Sequence, residues 1–218
     1  MTSRPSALDR YLMAVYALDA EGEVPRPARL AAYLGVRAAS VSRALSRLEG
    51  RGWVQGRRPI RLTPAGRRRA RRLLACHQVA ERWLVDMLHL EWATVHADAE
   101  RLAAVLTPAL AARLWRRVGR PRTCPHGNPI PDPGAGPRPG LPLARAAPGA
   151  YRLLRVTEEL EGDEGAMRAL AALGLAPGAA VEVDGRARGG TRVRGPGGEG
   201  VLAAAWLEGV RVWPAAPA

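Results

Sequence analysis

The chain has 218 residues and a mass of 23.3 kDa, enough for one or two compact domains whose core needs no disulfides. With 47% hydrophobic and 24% charged residues, wholesale disorder is excluded. The formal net charge is +13, every cationic side chain is Arg, and Lys and Phe are absent; the Arg-only usage reads as codon bias, whereas the charge itself points to a polyanionic partner.

A first helix is predicted over 6–19, where Leu8, Tyr11, Leu12, Val15 and Tyr16 recur at helical spacing before Glu21-Gly22 ends it. Pro27 sits in the first turn of a short second helix, Gly35-Val36 turns the chain, and a third helix runs from about Ala38 to Glu49. Two strand-like pieces, 53–55 and 60–62, flank GRRP. Thr63-Pro64 is an N-cap followed by proline at the first helical position, and starts a long helix to about Leu88. A fifth helix is expected from Trp92 to Leu106, and Thr107-Pro108 repeats the cap signal for a sixth, to about Val118. Residues 119–149 are crowded with Pro and Gly, the composition of a linker. From Ala150, short alternating strands with Gly turns and a helix at 165–173 predict a small β-barrel.

The charge is unevenly placed. Residues 1–75 hold 16 Arg against 5 acids, residues 76–140 hold 8 against 6, and residues 141–218 hold 9 against 9. Helix, Gly turn, helix and two-strand wing form the winged helix-turn-helix pattern, and it carries a net +11. The recognition helix presents Ala39, Ser40, Ser42, Arg43 and Arg47, small residues for close approach to the major groove and an Arg suited to guanine. Arg57, Arg58 and Arg61 on the wing, and Arg29 on the second helix, are placed for phosphates. The competing reading is that Ser40 caps locally and the arginines form a solvated face.

The middle helices carry His77 and Glu81, then His96 and Glu100, each pair one helical turn apart on one face. Two such pairs on packed helices suit Mn²⁺, Fe²⁺, Co²⁺ or Zn²⁺; the bland alternative is two surface His–Glu pairs. No stretch is apolar enough to span a bilayer, no apolar signal core opens the chain, and Cys76 and Cys124 form no CxxC pair. The expectation is a reduced, cytoplasmic protein with no membrane partner.

Several motifs together resemble the diphtheria toxin repressor/iron-dependent repressor family, which includes the manganese transport regulators. They are RYLMAVYAL, ASVSRALSRLEGRGWV, LTPAGRRRA, the pair HxxxE (77–81) and VHADAE (95–100), CPHGNPIP (124–131), and YRLLRVTEELEGDE with LGLAPGAAVEV. The resemblance is nearly full length. It implies a mainly α fold with a small β part. The winged helix-turn-helix DNA-binding domain would be 1–75, a helical metal-binding and dimerisation domain 76–140, and an SH3-like domain 141–218. It further implies a homodimer that binds a palindromic operator in double-stranded DNA and represses manganese or iron homeostasis genes.

Carried over by motif, His77, Glu81 and His96 match the helical ligands of the family's ancillary metal site, with Glu158 and Glu161 as the ligands from the SH3-like domain. The family's primary site is depleted: Arg10, Ala103 and Ala104 stand where ligands are expected, and only Glu100 fits. Arg10 and Glu100 are therefore candidates for an ion pair replacing the metal as a tether between the first and fifth helices, or else Arg10 faces solvent or DNA. Cys124 and His126 look like ligands by composition, but the resemblance makes them parts of a structural turn; His89 has no ligand partner at helical spacing and stays unassigned; and the resemblance allows the Pro-rich segment 129–148 to dock on the SH3-like domain. Carboxylates and imidazoles without a thiolate favour Mn²⁺ over Fe²⁺. A metal-insensitive DNA-binding or architectural protein is the second reading. An enzyme is the weakest, since HExxH, a nucleophile elbow and a Gly-rich phosphate loop are all missing from the sequence.

Overall fold

The computed structural model describes residues 6–131 and 140–215. Six helices lead: α1 (Ala7–Ala20), α2 (Pro27–Leu34), α3 (Ala38–Gly50), α4 (Pro64–Leu88), α5 (His96–Ala103) and α6 (Pro108–Arg117). The two-residue strands β1 (Val54–Gln55) and β2 (Arg61–Leu62) pair antiparallel between α3 and α4 as the wing. The C-terminal third contains β3 (Leu141–Pro142), β4 (Gly149–Val156), α7 (Glu158–Glu161), α8 (Glu164–Ala172), β5 (Ala180–Ala187), β6 (Gly190–Gly195), β7 (Gly198–Ala203) and β8 (Val210–Pro214). Its six strands pair antiparallel in the order β3-β8-β4-β5-β6-β7.

Local chemistry sets these boundaries. Thr63 and Thr107 cap α4 and α6, their hydroxyl oxygens accepting from Gly66 N at 3.1 Å and Leu110 N at 3.2 Å. Asp9 closes a capping box with Ser6 on α1 and accepts two hydrogen bonds from Arg69 of α4, at 2.7 and 2.9 Å. Burial pushes the Asp9 carboxyl upward, but Arg69 and Ser6 outweigh it and hold it below the usual carboxylate range. A buried, charge-assisted contact thus fixes α1 on α4.

Three apolar cores follow. One joins α1, α3, the wing and Ala70; one lies between α4, α5 and Leu106; the largest fills the C-terminal sheet. The long α4 serves the first two, carrying the wing domain at its start and His77 and Glu81 further along. α5 is shorter than the predicted span of 92–106 because Trp92 and Ala93 leave the helical path to pack on the core of the sheet. Of the Pro-rich segment 129–148, the described second part lies on the sheet, Leu141–Pro142 pairing with β8 and Leu143 buried in its core, while residues 132–139 lie outside the described residues. Among the described residues, no helix is long and apolar enough to cross a membrane.

Candidate metal centre

Four donors converge from three elements. His77 Nε2 lies 3.0 Å from Glu81 Oε1, one turn apart on α4. Packing of α4 on α5 brings the first residue of α5, His96, against them, with Nδ1 3.2 Å from Glu81 Oε1 and 3.3 Å from His77 Nε2. The short α7 contributes Glu161, whose Oε2 is 3.4 Å from His96 Nδ1. Glu81 and Glu161 are buried.

A second pair of donors enters from the turn at 124–128. Arg82 of α4 donates to the carbonyls of Thr123 and Cys124 at 3.0 and 2.9 Å, and Cys124 N donates to Asn128 O at 2.9 Å. Gly127 (φ +85°) presses on β4 so closely that a Cβ would sit 2.2 Å from Leu154 O, so the turn requires glycine there. Held this way, His126 places Nδ1 3.4 Å from both Glu81 Oε1 and Glu161 Oε1, and Cys124 Sγ lies 3.9 Å from that nitrogen. His126 Nε2 is 2.8 Å from Trp92 O. A carbonyl only accepts, so Nε2 carries a proton and Nδ1 is the atom a neutral ring would offer to a metal. The sequence reading treats Cys124 and His126 as structural although their composition is that of ligands; in the structure the same turn brings both side chains beside the two carboxylates, a placement that tertiary packing supplies.

Burial and charge oppose each other throughout. Burial disfavours imidazolium, yet the Glu161 and Glu81 carboxylates push His96 up to about 11 and His126 up to about 9, and Glu81 raises His77. Burial would raise Glu81, but His77 and His126 hold it well below the usual range. Burial, then the neighbouring carboxylates, push the Cys124 thiol well up. Among the described residues, Glu81 Oε2 and Glu161 Oε2 are buried without a hydrogen bond, Glu161 Oε2 having only its 3.4 Å ion pair with His96, a costly arrangement unless another ligand takes them. The donors form two sets, His77–Glu81–His96–Glu161 and Glu81–Cys124–His126–Glu161, and within each the ligand atoms lie within 4.8 Å of one another. Such N, O and S donors fit a divalent transition metal.

Two acids expected at the site stand beside it. Glu158 accepts from the side-chain amide of Gln78, and its charge is felt at His77. Glu100, one turn beyond His96, is exposed and faces α1, where its Oε1 is 3.8 Å from Arg10 Nε. The pair exists, but that separation exceeds a hydrogen bond and both side chains are more than half exposed. His89 caps α4 in a left-handed conformation (φ 57°), a helix-ending role.

Buried polar groups connect the centre to α1. Asn128 donates to Glu161 Oε1 at 2.5 Å, and Arg155 of β4 donates to Asn128 Oδ1 at 3.1 Å. Arg155, itself 1% exposed, makes a bidentate contact of 2.8 and 2.8 Å with Glu21, the residue that ends α1, and Arg211 joins at 3.0 Å. On the DNA-reading module, Ala39, Ser42, Arg43, Arg47 and Arg58 are exposed, and Ser40 is half-buried and accepts from Arg43 at 3.3 Å. Arg57 is partly engaged, bonding Ser46 and Glu49 of α3 at 2.8 and 2.9 Å. Arg29 is held more firmly, between Glu23 and Glu159 of α7, with its shortest contact 2.6 Å. In this arrangement it joins α2 to the C-terminal domain, and DNA would have to compete for it.

Comparison with known proteins matches residues 6–58 to the iron dependent repressor N-terminal DNA binding domain and residues 63–132 to the iron dependent repressor metal binding and dimerisation domain. The iron-dependent repressor IdeR of Mycobacterium tuberculosis is 36% identical over 207 residues, covering 88% of this chain and 90% of the relative. The diphtheria toxin repressor of Corynebacterium diphtheriae is 32% identical over 159 residues, 69% of this chain and 70% of the relative. Among solved structures, a manganese-dependent transcriptional repressor in complex with manganese superposes with a TM-score of 0.82 at 25% identity, covering 96% of this chain and all of the other. IdeR of T. acidophilum gives 0.75 at 26% identity, covering 97% and 99%.

Proposed function

This chain belongs to the iron-dependent repressor family and is a metal-dependent transcriptional repressor; on that premise we propose that its responsive metal is held where α4, α5 and the C-terminal domain meet, by His77, Glu81, His96 and Glu161, with Cys124 and His126 beside them. The observation that carries this is the pair of buried carboxylate oxygens, Glu81 Oε2 and Glu161 Oε2, that make no hydrogen bond among the described residues, with three imidazoles around the two carboxylates. His77, Glu81, His96 and Glu161 would hold a divalent ion there as a cross-link, its binding free energy going into the mutual orientation of the domains that contribute donors. The Glu161–Asn128–Arg155–Glu21 chain then transmits that orientation to α1, and through α1 to the recognition helix α3.

In this reading the protein acts as a cytoplasmic homodimer on a palindromic operator of manganese or iron homeostasis genes. The exposed Leu88, Leu90, Val105 and Leu110 around the ends of α4, α5 and α6 form the apolar face for pairing. Arg43 reads base edges, while Arg47, Arg57 and Arg58 contact phosphates. The nitrogen–oxygen set accepts Mn²⁺ readily. The thiolate beside it adds affinity for Fe²⁺ and softer ions, so the preference for Mn²⁺ rests on the His77–His96 side alone.

The test is a mobility shift on the gene's own promoter with chelator, Mn²⁺ or Fe²⁺, using wild type and the double variant His77→Ala/Glu81→Ala. Metal should tighten wild-type binding and leave the double variant at its chelator level. Equal wild-type binding in every lane would establish the metal-insensitive reading instead.

A further inference from the structure

We propose that the two donor sets are one dinuclear centre, in which Glu81 and Glu161 bridge two divalent ions; this rests on the metal-binding reading above. The two sets share both carboxylates and nothing else. His77 and His96 belong only to the first set, Cys124 and His126 only to the second. Glu161 is turned so that Oε2 faces His96 and Oε1 faces His126, at 3.4 Å in each case. That is the disposition of a carboxylate that gives one oxygen to each of two ions, and two-metal sites set their ions roughly 3.5–4 Å apart. Glu81 sits at the junction, its Oε1 within 3.4 Å of all three imidazoles and its Oε2 buried and unpartnered.

The positions differ in chemistry: two nitrogens and two carboxylates on one side, one nitrogen, one thiolate and two carboxylates on the other. The thiolate side is the softer of the two.

The experiment loads metal-stripped, full-length protein with Mn²⁺ or with Co²⁺. Elemental analysis should give two ions per protomer. The Mn²⁺ form should show an exchange-coupled electron paramagnetic resonance signal, and the Co²⁺ form a thiolate-to-cobalt charge-transfer band. Cys124→Ser should lose one equivalent and the band; His96→Ala should lose one equivalent and keep the band; Glu81→Gln should weaken both. One ion per protomer, or two without magnetic coupling, overturns the bridged pair while leaving the metal-binding reading intact. No bound metal overturns both. Because stoichiometry and coupling are read on the wild type, a variant that fails to fold does not rescue the proposal.

Discussion

Two of the ion pairs that α1 makes with the rest of the molecule differ sharply. On one side, Arg10 meets Glu100 of α5 at 3.8 Å, in water, with both side chains more than half exposed. On the other, Glu21 meets Arg155 and Arg211 in a buried, bidentate contact that continues through Asn128 to Glu161. Exposed pairs contribute little because water screens them and long side chains lose entropy. Removing one partner of a buried pair leaves an uncompensated charge. The comparison teaches that position of charge, not its presence, decides which contact can carry a signal. In this chain the buried contact is the one that runs through the C-terminal domain.

The largest effect should come from breaking the buried route. Arg155→Leu strips Glu21 of its bidentate partner and should cost about 3–5 kcal/mol of unfolding free energy in a denaturant titration. Metal should still bind, since no donor is removed, but the metal-induced gain in operator affinity should fall or vanish. A variant that loses stability and keeps full coupling would show that α1 is controlled by another path.

The pH dependence sharpens the same contrast, because the buried side titrates. His126 and His96 hold their protons up to about 9 and about 11, against 6.5 for an ordinary imidazole. Raised folded-state values mean that their ion pairs contribute full stability to the metal-free protein below about 6.5. That contribution is lost as pH rises through about 9 and then about 11. Metal binding runs the other way: each imidazole must release its proton, so apparent affinity should rise with pH, by roughly tenfold per unit for each proton displaced. Melting curves at pH 7 and 9.5, with and without metal, should therefore diverge, the metal-free form losing stability more than the loaded form. Parallel losses would mean the imidazoles are not the groups the metal displaces.

Much of this architecture was legible in the residues. Proline after threonine marked the starts of α4 and α6, and apolar spacing marked α1 and α3. The His77–Glu81 spacing put two donors on one helical face. What sequence could not show was set by packing. Glu100 and Glu161 are the same residue type, but only Glu161 is carried into the candidate centre, by a one-turn helix anchored on the sheet. Cys124 and His126 come beside the carboxylates because Gly127 lets their turn lie on β4 and Arg82 ties it to α4. Arg29 looked like a phosphate contact from its charge, and Glu159, far away in sequence, is its partner.

The smallest effect belongs to the exposed pair. Arg10→Ala and Glu100→Ala should each change stability by no more than about 1 kcal/mol, and their double-mutant coupling should be of the same small order. Operator affinity of the metal-loaded protein should change little with Glu100→Ala, since Glu100 lies outside the donor sets. A loss beyond about tenfold, or about 1.4 kcal/mol, would reverse the ranking of the two routes. It would mean that the contact tightens when DNA is bound, because an interaction this open in the free chain has too little desolvated surface to carry such an energy as it stands. High salt separates the cases: it should erase any contribution from a pair that stays in water, and spare one that becomes buried at the DNA-bound interface.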